Sequence, residues 1–193
     1  TIRSSGETLL NLINDVLDMS RLEAGRVALE RAPFDATTLV DEVVALLGAR
    51  AAGKGIWLTV EHLGGADGAL LEGDASRIRQ VLFNLIGNAV KFTARGGVAV
   101  STRAERRDDG RVDWTVTVRD TGIGIAPEAL PALFERFSQA DSRVARQFGG
   151  SGLGLAIARQ IARAHGGDVA LANRTEGGLR ALLTLPLAGT RTP

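Results

Sequence analysis

Between Asp74 and Thr93 the residues Ile78, Val81, Leu82, Leu85, Ile86, Ala89 and Val90 recur at i, i+3, i+4, i+7, i+8, i+11 and i+12. That spacing predicts an α-helix with one apolar stripe. A stripe of this width has to be covered by another layer of structure. At about 100° per residue, Asn84, Asn88 and Lys91 fall within about 60° of one another, roughly 130° from the centre of the stripe. The simplest account of such a ridge is a solvated helix face. Asn is a mediocre helix former, however, so two at i and i+4 ask for a reason. A carboxamide oxygen is a hard, neutral ligand suited to Mg²⁺, and a neighbouring lysine is a point charge for phosphate.

Glycine sharpens that reading. The chain holds 24 in 193 residues, about 12% against a usual share of about 7%, and they cluster. Asp120-Thr121-Gly122-Ile123-Gly124-Ile125 follows a strand-like run. Its alternate glycines permit close backbone approach, and an Asp at a strand end can accept from the exocyclic amine of a base. A plain turn explains the same residues. Gly149-Gly150-Ser151-Gly152-Leu153-Gly154 opens a second helix, where free N–H groups and the helix dipole favour an anion. It is not a dinucleotide fingerprint, because Ile157 stands where the third glycine is required and no strand precedes it. Nor is it a Walker loop.

Composition excludes several alternatives. Cysteine is absent and 23 Lys+Arg nearly balance 22 Asp+Glu. Disulfides, thiolate metal sites and cysteine nucleophiles are ruled out, as is nucleic-acid binding through bulk charge. No stretch reaches the roughly 18–20 apolar residues of a membrane span, and no signal peptide opens the sequence.

The remaining patterns predict an α/β chain. Residues 1–25 carry a heptad-like seam through Ile2, Leu9 and Val16 and through Ser5, Leu12 and Met19, which predicts a helix that pairs outside the globular body. A linker falls near 26–33. Pro33-Phe34-Asp35 reads as a turn and cap before a helix ending at Gly53-Lys54-Gly55. Strands are expected at 56–60, 69–71, 98–103, 112–119, 169–171 and 179–185. A poorly periodic segment follows Asp120.

In combination these features are far more specific than any one of them. Asn84–Thr93 (NLIGNAVKFT) resembles the N box of sensor histidine kinases, and Asp120–Ile125 (DTGIGI) their first glycine box. Phe134–Phe137 (FERF) resembles the F box, and Gly149–Leu155 (GGSGLGL) the second glycine box. The four occur in family order. Asp15–Arg26 looks like the end of the second helix of the family's dimerisation and histidine-phosphotransfer hairpin.

The resemblance implies a two-layer sandwich of a mixed sheet and helices, the Bergerat-type histidine kinase ATPase fold, with an N-terminal helical arm. Residues 1–30 would be the second hairpin helix and 31–193 the ATP-binding catalytic domain. Asn88 would ligate Mg²⁺, with Asn84 nearby and Lys91 on the phosphates of ATP. Asp120 would read the adenine amine, with Gly122, Gly124 and Ile125 at the base pocket. Residues 126–150 would form a lid carrying Arg143 and Arg146 toward the γ-phosphate. There Phe134 and Phe137 would be hydrophobic anchors. Gly150, Ser151, Gly152, Leu153 and Gly154 would line the phosphate cradle. Implied partners are a second copy through the N-terminal helix, a hairpin bearing the acceptor histidine, and a response regulator receiver domain. Cytoplasmic catalysis is expected, whether or not the parent protein is membrane-anchored.

One departure matters. The sequence has two histidines, His62 and His165, and neither lies in the family's acceptor context. Both read as surface residues, His62 in a strand-end loop. The phosphoacceptor is therefore expected outside this chain. Related gyrase, mismatch-repair and chaperone ATPases carry a general-base Glu where Asn84 stands, and a carboxamide takes no proton at neutral pH. Phosphotransfer is expected over hydrolysis. An ATP-driven clamp and a nucleotide-binding adaptor without catalysis are the alternatives.

Overall fold

The computed structural model describes residues 29–64, 70–135 and 152–189. The predicted helix over 1–25 lies outside them, as do Phe137, Arg143, Arg146, Gly150 and Ser151. The described elements run β1 (Ala32–Asp35), α1 (Ala36–Gly53), β2 (Trp57–Leu63), β3 (Leu70–Gly73), α2 (Ala75–Phe92), β4 (Gly97–Arg106), β5 (Arg111–Asp120), a 3₁₀ turn (Pro131–Phe134), α3 (Gly154–Ala164), β6 (Asp168–Asn173) and β7 (Leu179–Gly189).

The strands form one mixed sheet in the order β1-β3-β7-β5-β4-β2, with β6 also paired to β7. Only the β2–β4 pair is parallel among them. Strand β7 is the axis of the sheet. One edge pairs with β5 from Arg180 to Ala188, while the other pairs first with β6 and then with β3. Alternation along β5 buries Val112, Trp114, Val116 and Val118. That face meets Leu183 and Leu185 of β7 and the apolar stripes of all three helices in one core. Phe34 of β1 packs edge-on against Trp114, with ring centroids 6.0 Å apart. The two-layer α/β sandwich expected from sequence is thus the architecture found.

Local chemistry sets the helix ends. The Asp35 carboxylate accepts from Thr38 N at 2.9 Å and from the Thr37 hydroxyl at 2.6 Å. These bonds cap α1 and hold the Asp35 pKa below its ordinary value. The expected turn at Pro33–Asp35 is instead strand β1, paired to β3. A four-residue edge strand gives too short a period to read, and Pro at such an edge costs no ladder bond. Helix α2 is capped by Asp74, whose Oδ1 accepts from Arg77 N at 3.0 Å. Its fully buried Ile78, Leu82 and Ile86 contribute about 1.5–3 kcal/mol each by burial. At its other end the Thr93 hydroxyl donates to Ala89 O. Lys54, just past α1, donates through Nζ to Val90 O and Lys91 O at 2.7 and 2.8 Å. The last α2 carbonyls are thereby satisfied by a cation, where the dipole favours one.

Candidate nucleotide site

Three sequence-distant segments meet along α2. At the middle of the helix the Asn84 carboxamide donates through Nδ2 to Gly154 O at 3.2 Å, where α3 begins. A Cβ at Gly154 would stand 3.3 Å from Asn84 Oδ1, so glycine permits this approach. Helix α3 has no side-chain cap at its N-terminus among the described residues, and the dipole and N–H groups of a helix start favour an anion. Leu153, almost fully buried, pins the turn before it. At the far end of α2 the Asp120 loop closes in. A Cβ at Gly122 would lie 2.7 Å from Phe92 O, against the helix terminus itself. Asn84 and Phe92 are eight residues apart, about 12 Å along the axis. Asn88 and Lys91 lie between, both half-buried. Burial, and secondarily the Arg50 guanidinium, push the Lys91 pKa down.

Asp120 is buried, 6% exposed. Its Oδ1 accepts from Gly122 N at 2.8 Å and Leu179 N at 3.1 Å. No described hydrogen bond goes to Oδ2. Desolvation raises the Asp120 pKa, against the opposing pull of these two N–H groups and of Arg174. The loop is fixed from outside its own motif. Arg174 donates to Asp120 O at 2.7 Å. The Asn173 carboxamide clasps Ile125, accepting from its N–H at 2.9 Å and donating to its carbonyl at 2.5 Å. Thr121 donates to Arg95 O and accepts from Gly97 N. Gly124 takes φ +64 in this loop.

The structure thus brings Asn84, Asn88 and Lys91 together with Asp120, Gly122, Gly124 and Ile125 on one side and Gly152, Leu153 and Gly154 on the other. The supporting roles of Asn173, Arg174, Thr121, Gly178 and Lys54 were not read from the sequence. They act through backbone contacts between distant segments, which periodicity does not register. Among the described residues no cluster of three or more His, Cys, Asp or Glu is arranged to hold a metal ion.

Phe134 is an anchor, as expected. It packs on the core, and its ring lies 4.4 Å beneath the Arg159 guanidinium. Arg159 in turn grips Asp168 at 2.7 and 3.0 Å. That pair holds the Asp168 pKa at about 2, from an ordinary 3.8. A depressed carboxylate stabilises the fold above its unfolded pKa, and the gain disappears as pH falls toward 2. Asp168 is 47% exposed, so screening limits the pair to about 1 kcal/mol. We expect Asp168→Asn to lower stability by about that much at neutral pH and to match wild type near pH 2, as read by urea denaturation across pH.

The two histidines correct the sequence reading. His62 lies within β2, half-buried, with Nδ1 on the Thr102 hydroxyl and Nε2 on Asp41. His165 is buried, and both ring nitrogens are engaged.

Comparison with known proteins agrees with this geometry. Residues 73–189 match the family described as histidine kinase-, DNA gyrase B- and HSP90-like ATPases. The chain is 42% identical over 160 residues to hybrid signal transduction histidine kinase L of Dictyostelium discoideum, covering 83% of this chain and 9% of that protein. It is 39% identical over 178 residues to the signal transduction histidine-protein kinase BarA of Escherichia coli K12, covering 92% of this chain and 19% of that protein. Among solved structures, full-length ShkA in complex with AMPPNP superposes with a TM-score of 0.82 at 39% identity, over 99% of this chain and 38% of that one. The catalytic domain of histidine kinase ThkA superposes with a TM-score of 0.65 at 26% identity, over 82% and 99%. The chain belongs to the histidine kinase-, gyrase B- and HSP90-like ATPase family. Within it, the chain is a catalytic domain of the histidine kinase type, spanning less than a quarter of the length of these two curated relatives. No described helix is long and apolar enough to cross a membrane.

Proposed function

We propose that this chain binds Mg-ATP along α2 and transfers the γ-phosphoryl group to a histidine that lies outside it. The observation that carries this reading is the Asn84–Gly154 contact, which sets the Asn/Asn/Lys ridge against the uncapped start of α3. Asp120 Oδ2 accepts from the adenine amine, and Gly122, Gly124 and Ile125 floor the base. Lys91 meets the phosphates together with the 150–154 segment (Gly150, Ser151, Gly152, Leu153 and Gly154). Arg143 and Arg146 reach the γ-phosphate.

The donor set suits Mg²⁺. Asn88 offers one neutral oxygen, half-buried and without a hydrogen-bond partner among the described residues. Mg²⁺ usually completes its shell with phosphate oxygens and water. When bound, the ion neutralises charge on the phosphates.

The chain's own task is positioning and charge. A neutral imidazole nitrogen of the acceptor forms the N–P bond as the bond from phosphorus to the ADP oxygen breaks. The acceptor needs no base, whereas water would, and Asn84 cannot serve as one. We assign the acceptor to a hairpin of the dimeric parent and the next carrier to a receiver domain, with catalysis in the cytoplasm.

The test mixes the chain with γ-labelled ATP and a hairpin bearing the acceptor histidine. Label should pass to the hairpin, with slow hydrolysis in its absence. Asn88→Ala and Lys91→Ala should each reduce transfer by about 100-fold, the scale of losing one charge-stabilising group. Tight binding with no transfer would make the chain an adaptor. Fast hydrolysis abolished by either variant would make it a hydrolytic ATPase.

A further inference from the structure

We propose that His165 is a positioning residue for the nucleotide site: from the far end of α3 it fixes where that helix's N-terminus sits against Asn84. His165 is 8% exposed and closes α3. Its Nδ1 lies 2.9 Å from Ile161 O, and its Nε2 lies 3.2 Å from Asp74 N. A carbonyl can only accept and an amide N–H only donate, so the ring is neutral with its proton on Nδ1.

Asp74 is the N-cap of α2. Its backbone N–H is one of the helix's orphan donors. In a capping box, a Glu or Gln at the third helical position accepts that proton. Here that position is Arg77, which has no acceptor. The acceptor comes instead from another helix. Both Asp74 carboxylate oxygens are used as well, Oδ1 by Arg77 N and Oδ2 by Glu30 N at 3.3 Å.

The consequence is geometric. Helices α2 and α3 run antiparallel and are tied at two points, Asp74–His165 and Asn84–Gly154. The arms between the ties are ten and eleven residues, about 15 and 16 Å. Two ties at matched spacing resist sliding of one helix along the other, where packing of Ile157 and Ile161 alone leaves an apolar surface. His165 thereby sets the height of the 152–154 turn beside Asn84 without touching a nucleotide.

This inference rests on the proposed Mg-ATP site, and the experiment separates the two. The 193-residue chain is titrated by calorimetry with a non-hydrolysable ATP analogue and magnesium, well below the melting midpoint of each variant. Uptake by wild type tests the site itself. His165→Gln keeps an acceptor within reach of Asp74 N, His165→Asn is polar but too short, and His165→Leu has no acceptor. We expect the Asn and Leu variants to bind about tenfold more weakly, the scale of one unmade buried hydrogen bond, and the Gln variant to stay within about threefold of wild type. Equal affinity in all three, with only their melting temperatures lowered, would reduce His165 to a packing residue and overturn the proposal. Hydrogen exchange on the unmutated chain gives a second reading if a variant does not fold. Nucleotide should slow exchange of the Asp74 amide, and an unchanged rate would count equally against the proposal.

Discussion

Asp120→Asn is expected to weaken ATP binding by about a hundredfold while weakening ITP binding much less. Oδ1 of Asp120 already accepts from Gly122 N and Leu179 N. An Asn side chain keeps both bonds by turning its carbonyl oxygen to that side. Its NH₂ then occupies the position of Oδ2, so in the proposed site two donors face each other in place of a carboxylate accepting from the 6-amino group of adenine. Losing a hydrogen bond to a charged group costs about 1.5–3 kcal/mol, and the opposed donors add to it. A purine with a 6-oxo group presents an acceptor there and suits the amide. The pH profile gives an independent reading. Burial raises the Asp120 pKa, so wild-type ATP affinity should fail on acidification at a pH above the ordinary aspartate range, and Asp120→Asn should lack that step. A folded pKa above the unfolded one means that this group's protonation favours the folded state, so its own titration does not unfold the chain. Calorimetric titrations with ATP and ITP across pH measure both effects. Equal losses for the two nucleotides would remove Asp120 from base recognition.

How far the sequence carried depended on whether a feature was local. Helix α2 was legible to the residue, because Ile78 to Val90 repeat at helical period and Asp74 is a good cap. The long strands β4 and β5 were legible from alternation, while β7 was placed only to Leu185, four residues short of its end at Gly189. Asn84, Asp120 and the 152–154 turn were visible as motifs because glycine and asparagine are unusual choices where they occur. The supports were not. Nothing local in the sequence marks Arg174, which the β6–β7 turn brings back onto Asp120 O, or Asn173, which clasps Ile125. His165 was misread for the same reason, since its partner lies 91 positions away. A lone histidine before Gly166-Gly167 carries no local sign of burial.

Gly178→Ala is expected to damage both the fold and the nucleotide site, while Gly177→Ala does neither severely. The two glycines are adjacent in the β6–β7 turn and share the same strain, with φ +84 and +89. That conformation costs a non-glycine residue about 1–3 kcal/mol. They differ in surroundings. A Cβ at Gly177 meets nothing within 4 Å, whereas one at Gly178 would stand 2.0 Å from Asp120 O and 3.0 Å from Thr121 Cα. Those neighbours are backbone and cannot swing away. Asp120 O is held by Arg174, and the N–H of the next residue, Leu179, holds the Asp120 carboxylate. Relief therefore requires the turn to lift off the Asp120 loop, which loosens the group proposed to meet adenine. We expect Gly178→Ala to lose about 3 kcal/mol or more, on the order of 10 °C in melting temperature for a chain of this size, and to bind ATP at least about tenfold more weakly. Gly177→Ala should lose only its conformational term and keep wild-type affinity. Thermal melts and ATP titrations of the pair make the comparison. A Gly178→Ala variant with the affinity of its neighbour would show that the β6–β7 turn does not set the geometry of the base pocket.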